Sequence, residues 1–106
     1  QVKLVAEEYL SAGPFSRLHQ WLDEKINKNQ SYGFYFPYRT GNGLVANEPW
    51  HLEHYPVAQK YLATLKTLEP QTHLQANQFL LSDELYLQFD QIISDLTTNT
   101  DLPPWI

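Results

Sequence analysis

Apolar residues recur at Phe15, Leu18, Leu22 and Ile26, with Trp21 beside them. Positions three and four apart share one helical face, so this spacing predicts a helix from Pro14 to about Asn29. Pro14 suits the first turn, where its missing N–H has no partner to lose, and Asn27-Lys28-Asn29-Gln30 ends the helix. Earlier in the chain, Val2 and Leu4 alternate with Lys3 and predict a short strand, which Ser11-Ala12-Gly13-Pro14 cuts off. Later, Ser31 to Tyr38 is a dense aromatic run, too short for a core helix and rich in strand formers. Pro37 marks a sheet edge or the strand's end. Gly41-Asn42-Gly43 signals a turn, and a second extended segment follows from about Trp50 to Tyr55. The two segments read as a hairpin-like pair whose connecting loop delivers Glu48 and His51. The competing reading of the second segment is a helix, capped by Asn47 with Pro49 in its first turn.

From Pro56 onward the pattern is helical. Val57, Tyr61, Leu62, Leu65 and Leu68 predict a helix over about 57–68, and Leu74, Phe79, Leu80 and Leu81 a weaker one over 71–81. Ser82 then suits an N-cap before acidic Asp83 and Glu84. Leu85, Phe89, Ile92, Ile93 and Leu96 carry that helix to about residue 97, and Pro103-Pro104 belong to a tail. The expected fold class is α+β: a small antiparallel sheet with packed helices and an all-helical C-terminal part. The 106 residues make at most one domain or part-domain.

Composition narrows the function. With 42% hydrophobic and 14% aromatic residues the chain has the material for a core. A net charge of −5, with seven scattered Lys and Arg, argues against a nucleic-acid or anionic-membrane surface. No apolar run approaches 18 residues, so no membrane span is expected, and the N-terminus does not read as a signal peptide. Cysteine is absent, which excludes disulfides and thiolate metal sites. Methionine is absent too, even at position 1, which reads as a processed product or a piece of something longer.

Candidate chemistry concentrates in Asn47-Glu48-Pro49-Trp50-His51-Leu52-Glu53-His54-Tyr55. A zinc hydrolase needs three protein ligands of the His, Asp or Glu type, a water, and a carboxylate to take that water's proton. Glu48 and His51 supply one base and one ligand. A Glu three residues before a His is common, however, so by spacing alone the pair reads as a surface glutamate and a partly exposed histidine. In a regular strand His51 and Glu53 share a face and His54 points away, so His54 reads as a supporting or surface group. His19 and His73 read as packing or surface residues. The run from Tyr32 to Tyr38 reads as sheet core rather than a sugar-binding platform.

The residues between Glu48 and His51 add to this. Glu48-Pro49-Trp50-His51-Leu52-Glu53-His54, preceded by Tyr32-Gly33-Phe34 and a glycine loop, resembles the C-terminal active-site segment of the zinc D-alanyl-D-alanine carboxypeptidases of the VanY type. The resemblance extends to Gly13-Pro14-Phe15-Ser16-Arg17-Leu18 and the Trp21-Leu22 helix. Residues 1–56 thus resemble the C-terminal half of a hedgehog/DD-peptidase-like domain, and 57–106 form a helical extension. Carried over, the resemblance implies that Glu48 is the general base, His51 a zinc ligand and Trp50 a substrate-wall residue. It also implies Zn2+ as cofactor, a peptidoglycan stem peptide as substrate and the cell envelope as location.

The family's upstream motif, Ser-x-His-x-x-Gly-x-Ala-x-Asp, supplies two further ligands seven residues apart. Seven beyond His19, His51, His54 and His73 stand Ile26, Ala58, Tyr61 and Leu80, so this sequence departs from the family at two of three ligands. The expectation is therefore the C-terminal portion of a zinc D,D-peptidase, inactive alone, with the other ligands before Gln1. Pairing with that missing half, or self-association, is the partner expected. The alternative is a non-catalytic, truncated relative that serves as a binding or assembly module.

Overall fold

A computed structural model describes residues 1–41, 45–65, 67, 82–93 and 99–106. The fold is small and α+β. A 3-10 turn at Ala6–Glu8 leads into helix α1 (Ser16–Asn27), strand β1 (Phe34–Tyr35), strand β2 (Glu53–His54) and helix α2 (Tyr55–Leu65). Two short helices follow among the described residues, α3 (Ser82–Leu87) and α4 (Phe89–Ile93). The strands pair antiparallel, Phe34 opposite His54 and Tyr35 opposite Glu53. This is the hairpin-like pair that the aromatic run and the second extended segment predict.

No strand forms at Val2–Leu4. The Glu8 carboxylate instead accepts the backbone N–H groups of Lys3 and Leu4 at 3.0–3.1 Å, and Leu4 sits at φ 53°. Alternation over three residues is a weak signal, and backbone donors satisfied by a carboxylate need no neighbouring strand. The chain then folds tightly against α1, with the Phe15 N–H donating to the Glu8 carbonyl at 2.8 Å. Gly13 permits this, because a Cβ there would lie 2.2 Å from the Glu7 carbonyl oxygen.

Helix α1 ends as its sequence predicts. The Asn29 N–H donates to Ile26 O at 3.0 Å and the Gln30 N–H to Lys25 O at 2.8 Å, with Asn29 left-handed at φ 53°. This is the Schellman closure, with asparagine in the position glycine usually fills. The two ends of the expected apolar stripe are covered and its middle is not: Phe15 packs on Tyr9. Ile26 is buried and Leu22 packs beside it, whereas Leu18 and Trp21 are each more than half exposed.

Among the described residues the core consists of Ile26, Tyr35 and Phe36, flanked by Leu22, Leu52, Tyr55 and Trp105, with Pro37 fully buried beside it. Trp105 belongs to the segment read as a tail, and that reading needs correction. The Asp101 N–H donates to Pro37 O at 2.8 Å, and the Asp101 carboxylate accepts from the Thr40 N–H and hydroxyl, both at 2.7 Å. Pro103 is buried. The C-terminal residues thus strap across the exit from β1 and close the core with an aromatic ring.

Helix α2 starts at Tyr55, whose N–H donates to Gly33 O at 2.9 Å and so carries the ladder one bond beyond β2. Pro56 occupies its first turn, where proline is tolerated. Lys66 and Leu68, the helix expected over 71–81 and residues 94–98 lie outside the described residues. The helix expected from Ser82 is present as α3 and α4, joined at Gln88. No helix among the described residues is long and apolar enough to cross a membrane.

Candidate functional site

The loop between β1 and β2 returns to the sheet through one tight turn. The Glu48 N–H donates to Tyr38 O and the His51 N–H to Glu48 O, each at 3.0 Å, and Pro49 inside the turn is buried. A single turn forms here, not the helix of the competing reading. It brings positions 48 and 51 to one side, which a regular strand cannot do.

Side chains follow the backbone. His51 Nδ1 lies 3.1 Å from Glu48 Oε2, and both groups keep solvent contact, with side chains 44% and 30% exposed. Facing an ionised carboxylate, which only accepts, the ring nitrogen at Nδ1 carries the hydrogen and donates it. The neutral ring then presents the Nε2 lone pair, which has no hydrogen-bond partner among the described residues. An imidazole so held by a carboxylate is set up to bind a cation or accept a proton at its far nitrogen.

Tyr38 completes the arrangement. Its ring meets His51 edge-on, centroids 4.9 Å apart at 85°, while its carbonyl holds the Glu48 backbone. Burial, and then the nearby Glu53 and Glu48 carboxylates, raise the pKa of its hydroxyl, which stays protonated at neutral pH. Trp50 turns the other way, packing on Tyr9 at 5.7 Å, and Tyr9 in turn packs on Phe15 at 5.1 Å. The loop is thereby fixed to the N-terminal segment.

The second pair of candidates is not part of this group. Glu53 Oε2 accepts the Tyr35 hydroxyl at 2.6 Å. Burial and that bond raise the tyrosine's pKa far above the ordinary range. His54 donates from Nε2 to the Tyr32 carbonyl at 3.1 Å and packs on Phe34 at 4.9 Å. Both are committed to holding the hairpin. His19 lies elsewhere, stacked on Phe36 at 4.7 Å, with the Arg39 guanidinium 5.4 Å from the same ring.

Sequence spacing singled out Glu48 and His51 but missed Tyr38, Tyr35 and Asp101. For the last two the only available signal was an aromatic in a strand and an acid before a Pro-Pro pair. Zinc requires three protein ligands in such a site, and among the described residues no group of three His, Asp or Glu side chains is placed to hold a metal ion. The described residues therefore do not fit zinc unaided. Set against family models, curated proteins and solved structures, the chain matches none.

Proposed function

We propose that this chain carries one half of a zinc D,D-peptidase site. Glu48 is its general base and His51 one of its zinc ligands, and the remaining donors come from outside the described residues; Trp50, a wall residue by the resemblance, packs on Tyr9 and braces their loop instead. The hedgehog/DD-peptidase likeness and the peptidoglycan substrate belong to this proposal and rest on the sequence resemblance. The observation that carries it is the contact of Glu48 Oε2 with His51 Nδ1 at 3.1 Å, open to solvent on one side of the loop. With Oε2 taking the His51 Nδ1–H, the other carboxylate oxygen of Glu48, Oε1, is the one to take up a proton and pass it on, and Tyr38 packs edge-on against the imidazole. A positioned base of this kind contributes roughly 10²–10⁴-fold to rate.

The test uses the complete protein from which the chain derives, assayed for release of D-alanine from a peptide ending in D-Ala-D-Ala. Glu48→Gln keeps the bound zinc and loses turnover, while His51→Ala loses both. Near wild-type hydrolysis by Glu48→Gln would reject the base.

A second reading, a binding or assembly module, has its own observation. An open groove of about 750 Å³ runs between the hairpin and α2, lined by Phe34, Leu52, Val57, Tyr61, Leu62 and Leu65. Tyr61 is 73% exposed there, an apolar surface of the kind that marks contact sites. Absence of metal and of hydrolysis in the complete protein, together with self-association lost in Tyr61→Glu, would favour this reading over the peptidase.

A further inference from the structure

Among the described residues, Trp21 and Tyr32 are two of the large aromatics that the core leaves exposed, as it does Phe34 and Tyr61. Trp21 is 54% exposed and Tyr32 92% exposed, although the latter begins the aromatic run whose later members form the core. They line one open depression of about 590 Å³ together with Leu22, Lys25, Asn29, Gln30 and Ser31. That volume lies within the usual range of small-ligand sites.

The framework under this depression is fixed. Its floor is the Schellman closure of α1, and its far rim is the turn into β1. In that turn Tyr32 holds a left-handed backbone at φ 55°, followed by Gly33 at φ 89°. A tyrosine in this conformation is strained and persists only where its surroundings enforce it. Here the enforcement comes from the sheet side: His54 Nε2 donates to Tyr32 O, and the Tyr55 N–H to Gly33 O. A Cβ at Gly33 would lie 3.0 Å from Pro56 Cδ, so a larger residue there would crowd the proline. The strain gains no packing for the Tyr32 ring, which is projected into solvent beside Trp21.

The lining carries one charge, the Lys25 ammonium, which meets a neutral amide, and the ion pairs nearby lie outside it. Lys25 Nζ donates to Gln30 Oε1 at 3.3 Å, Lys28 pairs with Glu24, and Arg39 pairs with Asp23. The overall charge of −5 opposes a polyanion. Beside the Lys25 ammonium stand two aromatic faces flanked by primary amides, with the Gln30 carbonyl oxygen already engaged. Aromatic faces carry negative quadrupole charge and suit the weakly positive C–H faces of a flat pyranose. The amides supply the donors and acceptors that sugar hydroxyls require.

We infer that Trp21, Tyr32, Asn29 and Gln30, with Lys25 beside them, form a binding site for a β-1,4-linked pyranose oligosaccharide, the linkage whose equatorial substituents leave both ring faces flat. This site shares no residue with Glu48 and His51, so it stands or falls separately from the peptidase proposal.

Cellohexaose and N-acetylchitohexaose are titrated into ¹⁵N-labelled protein, with the curved α-1,4-linked maltohexaose as comparison. The expected result is saturable shifts at the Trp21 indole N–H and the Asn29 and Gln30 side-chain amides with at least one β-linked probe, and weaker ones with maltohexaose. Trp21→Ala and Tyr32→Ala each weaken binding by roughly three- to tenfold. Both side chains are exposed, so the backbone spectrum of each variant checks that the fold is retained. No shift with either β-linked probe at millimolar concentration overturns the inference. So does unchanged affinity in the Trp21→Ala, Tyr32→Ala double variant, or a concentration-dependent shift of the same signals without sugar, which marks a contact between copies.

Discussion

Two glutamate–histidine pairs lie on the short stretch from Glu48 to His54, and they behave in opposite ways. Glu48 and His51 are three residues apart and touch, because a single turn folds the backbone between them. Glu53 and His54 are adjacent and part, because β2 sends neighbouring side chains to opposite faces. One then takes the Tyr35 hydroxyl and the other the Tyr32 carbonyl. The same two residue types on one short stretch give a solvent-facing dyad in one case and two structural braces in the other. Local backbone geometry decides which imidazole is free to act.

The strongest way to break this contrast is to remove the brace. Tyr35 is 4% exposed, and Tyr35→Ala should cost about 3–5 kcal/mol of folding free energy by urea unfolding. Tyr35→Phe keeps the ring but leaves Glu53 without its donor, costing about 1–3 kcal/mol. If the two pairs are independent, the His51 ring signals in Tyr35→Phe stay where they are in the parent. Asp101→Ala removes both bonds to Thr40 and should cost about 1–2 kcal/mol, since the strap holds the exit from β1. Glu48→Ala breaks the exposed dyad instead and should cost under about 1 kcal/mol. Its effect lies at the ring, where ¹⁵N shifts should report loss of the Nδ1–H tautomer.

The smallest effect is a pH dependence at His19, an imidazole in neither pair. Burial lowers its pKa, opposed by Asp23 and aided by Arg39. The folded state therefore binds that proton less readily than the unfolded chain does. Stability should be unaffected well above the ordinary value of 6.5 and should fall as pH drops below it. Urea midpoints at pH 7.5 and 5.5 check the sign, and His19→Gln should shrink the difference.

Helix α1, its asparagine closure, the pairing of two extended segments and the start of α2 near Pro56 were all legible. Each rests on contacts within a few residues, or on one dominant period. The strand at Val2–Leu4 was misread because nothing in three residues reveals that a carboxylate four or five positions on will take their N–H groups. Leu18 matches the helical stripe as well as Ile26 does, yet it stays exposed. Periodicity names a face without saying what covers it. In the site, spacing found Glu48 and His51 but not Tyr38, which reaches them only because the loop folds back.

The sequence by itself determined the local geometry: where α1 stops, where the chain can turn, and which segment concentrates acids and imidazoles. Those outcomes follow from torsional preferences and short-range hydrogen bonds. Tertiary structure alone decided that residues 101–105 strap the core and that Glu53 and His54 are spent on the hairpin. The physical reason is that each of these depends on a partner far along the chain, and a hydrogen bond or a buried ring carries no mark in the sequence of the residue it will meet.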